Sequence, residues 1–193
     1  MKLSRTTALV AVLSLAATSG IASIAALAPA QAAMAPMVGG APMYPSRNII
    51  ENAVNSKDHT TLVAAVKAAG LVETPEGPGP FTVFAPTNEA FDKLPPGTVA
   101  DLLKPENKDK LKEILTYHVV PGKYSAAELL RQAKMDGGKT TLKTVEGEPL
   151  TIEDHDGRLE VVDAKGDRAM VTIPNVYQSN GVIDVINKVL LPG

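Results

Sequence analysis

The sequence predicts an α+β domain, with helices in its first half and an antiparallel β meander in its second. Three observations carry this expectation. Apolar residues recur at helical spacing between Ile49 and Leu129. From Lys139 onward they gather in short β-prone runs, separated by glycine-containing turn dipeptides. The two kinds of stretch follow one another as blocks, which fits α+β rather than the alternating βαβ units of a parallel sheet. The chain has no cysteine among its 193 residues. Disulfides and thiolate metal sites are therefore excluded, and an ordinary apolar core must hold the domain.

Residues 1–32 read as a signal peptide. Lys2 and Arg5 give a positive start, no charge occurs from Thr6 to Leu27, and Ala30-Gln31-Ala32 is a small-x-small cleavage pattern. The stretch is rich in Ala, Ser and Thr, and Pro29 breaks it, so cleavage after Ala32 is favoured over a retained anchor. The mature protein is then secreted or periplasmic, with no stable membrane insertion. Residues 33–47 (AMAPMVGGAPMYPSR) show no period and read as a Pro/Gly/Met-rich linker. Met34, Met37 and Met43 lack a His or Cys companion, so a tether is expected there, not a soft-metal site. The domain runs over 48–193, and a mature chain of 193 − 32 = 161 residues can bury about two-thirds of its unfolded surface.

Ile49, Ile50, Ala53 and Val54 line one face of a first short helix. Asp58 is placed to cap a second, which carries Leu62, Val63 and Val66 and stops at Gly70. PFTVFAP (80–86) is a proline-bounded strand. Thr87 or Asn88 caps the next helix, with Ala90, Phe91 and Leu94. Thr98 and Asp101 resemble a capping box before Leu102 and Leu103. Leu111, Ile114, Leu115 and His118 share one face of a longer helix that ends before Pro121-Gly122, so His118 is expected to point inward. Ser125 and Glu128 form a capping box, with Tyr124 and Leu129 as its hydrophobic staple. Strands are expected at 139–145, 150–153, 159–162 and 169–173, broken by Glu146-Gly147, Asp156-Gly157 and Lys165-Gly166-Asp167. Runs at 176–178, 181–186 and 189–191 finish the series.

Several function classes are disfavoured. The chain carries 19 basic and 21 acidic residues, no Trp, three Phe and four Tyr. A mildly acidic surface with few aromatics suits nucleic acid poorly. There is no G-x-S-x-G, no H-E-x-x-H and no phosphate-binding glycine loop. Glu153-Asp154-His155-Asp156 falls at a hairpin turn and reads as a solvated turn, not a metal patch. KPENKDKLKE (104–113) alternates in charge like a solvated helix face. No catalytic residue, metal or cofactor is expected.

Three segments stand out together: TVFAPTNEAF (82–91), YHVVPG (117–122) and NGVIDVINKVLLP (180–192). In this order and at these separations they resemble the fasciclin domain, its two signature blocks flanking a Tyr-His motif. TLVAAVKAAGL (61–71) is similar to the family's opening helix. The resemblance covers about residues 48–192. It implies a wedge of two β-sheets packed against a group of helices. It also implies a non-catalytic extracytoplasmic adhesion or interaction module, in attachment, aggregation or biofilm-type roles. Its partner would be a protein or a cell-surface or matrix component, with self-association left open. The candidate contact residues are Thr87, Asn88, Tyr117, His118 and Asp184, of which Tyr117 and His118 match the motif known in the family both as a structural hydrogen-bonding element and as a cell-binding site. The last block departs from the family's usual N-G-V-I-H-V-I-D: Asp184 stands where His is common and Asn187 where Asp is common. Asp184 is therefore expected to accept a hydrogen bond from His118. Two alternatives remain, a small-ligand-binding protein with a cleft between helices and sheet, and a hydrolase with an unrecognised site. Burial of Tyr117 and His118 with no cleft beside them would leave only the interaction module.

Overall fold

The computed structural model describes residues 35–72 and 79–193. The signal peptide expected at 1–32 lies outside the described residues. The chain opens with a two-stranded hairpin, β1 (Met37–Val38) and β2 (Ala41–Pro42). Helix α1 (Ile49–Ala53) follows, then a 3-10 turn (Lys57–His59) that leads directly into α2 (Thr60–Ala69). Strand β3 (Phe81–Pro86) precedes α3 (Asn88–Asp92), α4 (Thr98–Leu102), a 3-10 turn at Pro105–Asn107 and α5 (Lys108–Tyr117). Strand β4 (Val119–Pro121) and α6 (Ala126–Met135) come next. Five strands complete the domain: β5 (Lys139–Lys143), β6 (Pro149–His155), β7 (Arg158–Val162), β8 (Arg168–Gln178) and β9 (Gly181–Ile186).

The seven main strands are ordered β4-β3-β9-β8-β7-β6-β5. The hairpins from β5 to β9 are antiparallel, as the turn dipeptides predict. The central pair is different: β3 and β9 run parallel, with Phe81 opposite Gly181 and Pro86 opposite Ile186. Parallel neighbours are normally buried on both faces, and all six residues of β9 are buried. Side chains alternate across this pair. Phe84 and Ile186 enter one core with Leu129, Leu150 and Ile152. Val83, Ala85, Ile183 and Val185 enter a second core on the other face. A third core lies among the helices, around Ala65, Phe91, Leu111 and Leu115.

The runs expected at 169–173 and 176–178 are one strand. β8 pairs with β7 through Arg168–Met170 and with β9 from Val171 onward, with register shifts between Val171 and Val176. Such bulges bend a strand, so β8 joins two sheet segments, and helices pack beside them. The expected α+β wedge of two β-sheets against a group of helices is the architecture found. The run 189–191 forms no strand; Val189 and Leu190 are buried in the cores instead.

Other local expectations are corrected. Part of the segment expected to be a linker is packed: Val38 and Met43 are 4% and 2% exposed in the second core. Asp58 does not cap α2, whose first turn is served by Asn88 from a distance in sequence: Thr61 N–H donates to Asn88 Oδ1 at 3.0 Å. Thr98 and Asp101 form no box, because α4 begins after Gly97, at φ +89°, without a side-chain cap. Ser125 and Glu128 do form one, at 3.2 Å and 2.8 Å. An unforeseen box joins Asn48 and Glu51 at the start of α1.

Gly181 marks where β9 meets β3. A Cβ there would lie 2.1 Å from the Phe81 carbonyl oxygen, a main-chain atom that cannot swing aside. Gly181→Ala is expected to destabilise the domain by about 1–3 kcal/mol, the usual cost of overpacking. Urea unfolding of the variant and the parent measures this.

Candidate functional site

The Tyr-His motif sits where α5 turns into β4. The apolar face of α5 carries Leu111, Ile114 and Leu115 into the helical core, and this sets the direction of the next two side chains. Tyr117 is 0% exposed. Its hydroxyl donates to the Pro149 carbonyl at 3.0 Å and accepts from the Ala164 N–H at 2.9 Å. Burial is the main cause pushing the phenol up to about 12. His118 is 3% exposed. Its Nδ1 lies 2.7 Å from the Ile114 carbonyl, and Nε2 accepts from the Leu190 N–H at 3.0 Å. Those partners require a neutral ring protonated on Nδ1. Burial pushes its pKa down to about 4, with the Ile114 carbonyl and Asp163 opposing in part.

Asp184 does not meet His118, contrary to expectation. Its Oδ1 accepts from the Asn175 N–H at 2.7 Å, and Oδ2 is buried without a hydrogen bond. The bulge in β8 provides that N–H: Asn175 stands at φ 60° and turns its amide toward β9. Asn175 Oδ1 in turn accepts from Ala126 N–H at 2.8 Å, at the first turn of α6. With one oxygen unpaired, burial outweighs the hydrogen bond and pushes Asp184 up to about 6. The other departing residue, Asn187, closes the end of the sheet by accepting from Met170 N–H at 2.9 Å.

Thr87 and Asn88 lie elsewhere, at the start of α3. Thr87 caps the helix through Ala90 N–H at 3.3 Å. Asn88 binds Thr61 N–H, Thr60 Oγ1 and the Lys57 carbonyl, tying α3 to the start of α2. Beside them, Asp58 and Glu89 complete a polar cleft of about 130 Å³. The five sequence-derived residues are thus not one site. Thr87 and Asn88 reach solvent in part, whereas Tyr117, His118 and Asp184 are enclosed. Among the described residues no cluster of His, Asp or Glu could hold a metal ion. Asp154 accepts from Gly157 N–H within the β6–β7 hairpin, and Glu153 pairs with Arg168 of β8.

Two further features stand out, a pairing that the sequence did not suggest and a cleft between helices and sheet of the kind that it left open. Ser56 Oγ lies 2.9 Å from His59 Nδ1, and His59 is 3% exposed with no hydrogen bond to Nε2. Burial lowers the His59 pKa, while the Ala85 carbonyl and Asp58 oppose it. Both residues line the second feature, an apolar cleft of about 70 Å³ between α1, α2 and the β3 side of the sheet. The only local signal was Ser56-x-x-His59 across a short turn, a spacing found wherever a Ser caps a turn. The cleft also touches His118. Burial of the Tyr-His motif alone therefore does not eliminate a small ligand.

His118 and Asp184 titrate oppositely in the same window. His118, with a lowered pKa, loses stability as pH falls from about 6.5 toward 4; Asp184, with a raised pKa, gains it as pH falls from about 6. Asp184→Asn removes the second effect. The stability of that variant relative to the parent is expected to rise by about 2 kcal/mol from pH 4 to pH 7, because the buried carboxyl titrates at about 6, well above its ordinary range. Denaturant unfolding across that range measures it, and a pH-independent difference is the contrary result.

Comparison with known proteins agrees with this architecture. The chain is 51% identical over 144 residues to protein sll1483 of Synechocystis, covering 75% of this chain and 73% of that one. It is 36% identical over 149 residues to the cell surface glycolipoprotein MPB83 of Mycobacterium bovis, covering 72% and 58%. A solved FAS1 domain pair from the insect cell adhesion molecule fasciclin I superposes with a TM-score of 0.69 at 20% identity, over 77% of this chain and 52% of that one. Residues 57–192 match the model of the fasciclin domain, and the chain belongs to that family.

Proposed function

We propose that the chain is a non-catalytic adhesion or interaction module working outside the cytoplasm, secreted or periplasmic, and that it binds a protein or a cell-surface or matrix component. The observation that carries this reading is how its reactive side chains are spent. Tyr117 and His118 direct every polar atom to the main chain of their own domain. In the pair Ser56 and His59 the serine lies on Nδ1, and burial lowers the pKa of the ring that would have to serve as base. Its surroundings are aliphatic and offer no array of donors for a developing oxyanion. The fasciclin family links the chain to cell adhesion, and its relatives include a cell surface protein. The leader-like first 32 residues support export.

The contact surface is best placed at the start of α3, where Thr87 and Asn88 border the polar cleft with Asp58 and exposed Glu89. Tyr117 is buried against β6 and the segment after β7, away from this surface, and holds the domain's shape rather than touching a partner. Deleting the gene is expected to reduce surface attachment or cell aggregation, and supplying the parent chain to restore it. A Glu89→Lys chain, which alters charge without touching a cap, is expected to restore it less. Full attachment of the deletion strain under several conditions is the result against this reading.

A further inference from the structure

We infer that Asp184 and the bulge in β8 form a proton-operated latch on the start of α6, closed while the carboxyl holds a proton and opening locally once it ionises. Three elements meet there in series. Asp184 of β9 accepts from the Asn175 N–H in the bulge at 2.7 Å, and Asn175 Oδ1 accepts from the Ala126 N–H at 2.8 Å. Ala126 opens α6, so the first turn of that helix is tied to the bulge, and the bulge is tied to the carboxyl. The bulge is also the weak point of its sheet. Register shifts interrupt the β8–β9 ladder between Val171 and Ile173 and again between Ile173 and Val176. Pro174 is exposed and has no N–H to donate. Asn175 stands at φ 60°, a conformation uncommon for a residue with a side chain. Few bonds need break for Asn175 to swing out and admit water, which is how a segment opens without global unfolding.

The carboxyl supplies the drive. Asp184 is fully buried, and an ionised carboxylate accepts at both oxygens, yet Oδ2 has no hydrogen bond. Phe84 lies opposite on β3, and Ile186 shares its face of β9 in the same core. The titratable side chains of the elements around it are engaged elsewhere. His118, bonded to Phe84 from the other side of β3, gives both ring nitrogens to main-chain groups, and burial pushes its pKa down to about 4. Lys123 stands over the Tyr177 ring at 4.8 Å, Glu128 closes the box with Ser125, and Tyr124 packs against the core. Among the described residues Asp184 has no counter-ion, so burial raises its pKa to about 6, with the Asn175 N–H opposing in part. A buried charge without a partner is relieved by a proton or by water. Below about pH 6 the proton relieves it and the latch is closed. As pH rises through that value, the ionised carboxylate favours the open, hydrated bulge.

Amide hydrogen exchange of the chain, corrected for the intrinsic rate, tests the latch from pH 5 to pH 8, above the range in which His118 titrates. Protection at Asn175 and Ala126 is expected to fall about tenfold over that range. That is the linkage for a carboxyl that binds its proton at about 6 when closed and in the ordinary range when hydrated. The opening constant should reach half its plateau at the pH where the ¹³C signal of the Asp184 carboxyl half-titrates. Exchange at both amides should hardly respond to about 1 M urea, whereas the β6–β7 ladder responds, because a local opening exposes little surface. Asp184→Asn should abolish the pH dependence. Asn175→Gly, which keeps the N–H and suits φ 60°, should leave Asp184 titrating and strip Ala126 of protection at every pH. The inference is overturned if protection at both amides stays constant while the carboxyl titrates, or if Asp184→Asn retains the dependence. It is equally overturned if the two amides respond to urea as strongly as the β6–β7 ladder, which would link the proton to global unfolding alone.

Discussion

Where α5 ends, two adjacent side chains hold together parts of the chain that lie far apart in sequence. Tyr117 joins the Pro149 carbonyl at the start of β6 to the Ala164 amide after β7. His118 joins the last turn of α5 to Leu190, 72 residues away. Asp163 completes the arrangement by accepting from Leu191 N–H at 2.9 Å, so the segment after β9 is pinned at two successive amides. Leaving any of these buried groups unpaired costs about 1–3 kcal/mol, more than the pairing itself gains. That asymmetry makes the motif a constraint on the fold. It places the last segment against the helices, and with it the aliphatic side chains of Val189 and Leu190.

The parallel pair of β3 and β9 carries the constraint into the sheet. Phe84 N–H donates to the His118 carbonyl at 3.0 Å, so the motif's own main chain sets the start of β4 against β3. From that pair the chain builds cores on both faces, one reaching α6 and the long hairpins, the other reaching α1 and the first hairpin. The apolar cleft lies where the second core meets the helices and is incompletely filled. The same packing that encloses His118 therefore leaves His59 beside open apolar space.

What was legible in the sequence was local. The box at Ser125 and Glu128 depends on residues three apart, and Gly70 ends α2 at φ 70° as a left-handed cap should. The inward aim of His118 followed from helical spacing on α5. What was illegible depends on residues far apart. The first turn of α2 is capped by Asn88, which no pattern near Thr60 announces. Asp184 looked like a partner for His118 because both are polar in an apolar setting. The bulge in β8 instead presents the Asn175 amide to it, and His118 finds main-chain partners that a sequence does not display. Residues 35–47 looked like a tether because two-residue strands have no period to detect, yet Met43 is 2% exposed.

The functional account follows from where polar atoms are used up. A motif that spends both ring nitrogens and a phenol on its own backbone holds the domain's shape. Its most direct test is the ¹⁵N spectrum of the His118 imidazole as a function of pH. The ring is predicted to remain neutral and protonated on Nδ1 down to about pH 4. Protonation near pH 6.5, the value of a solvated imidazole, would contradict it.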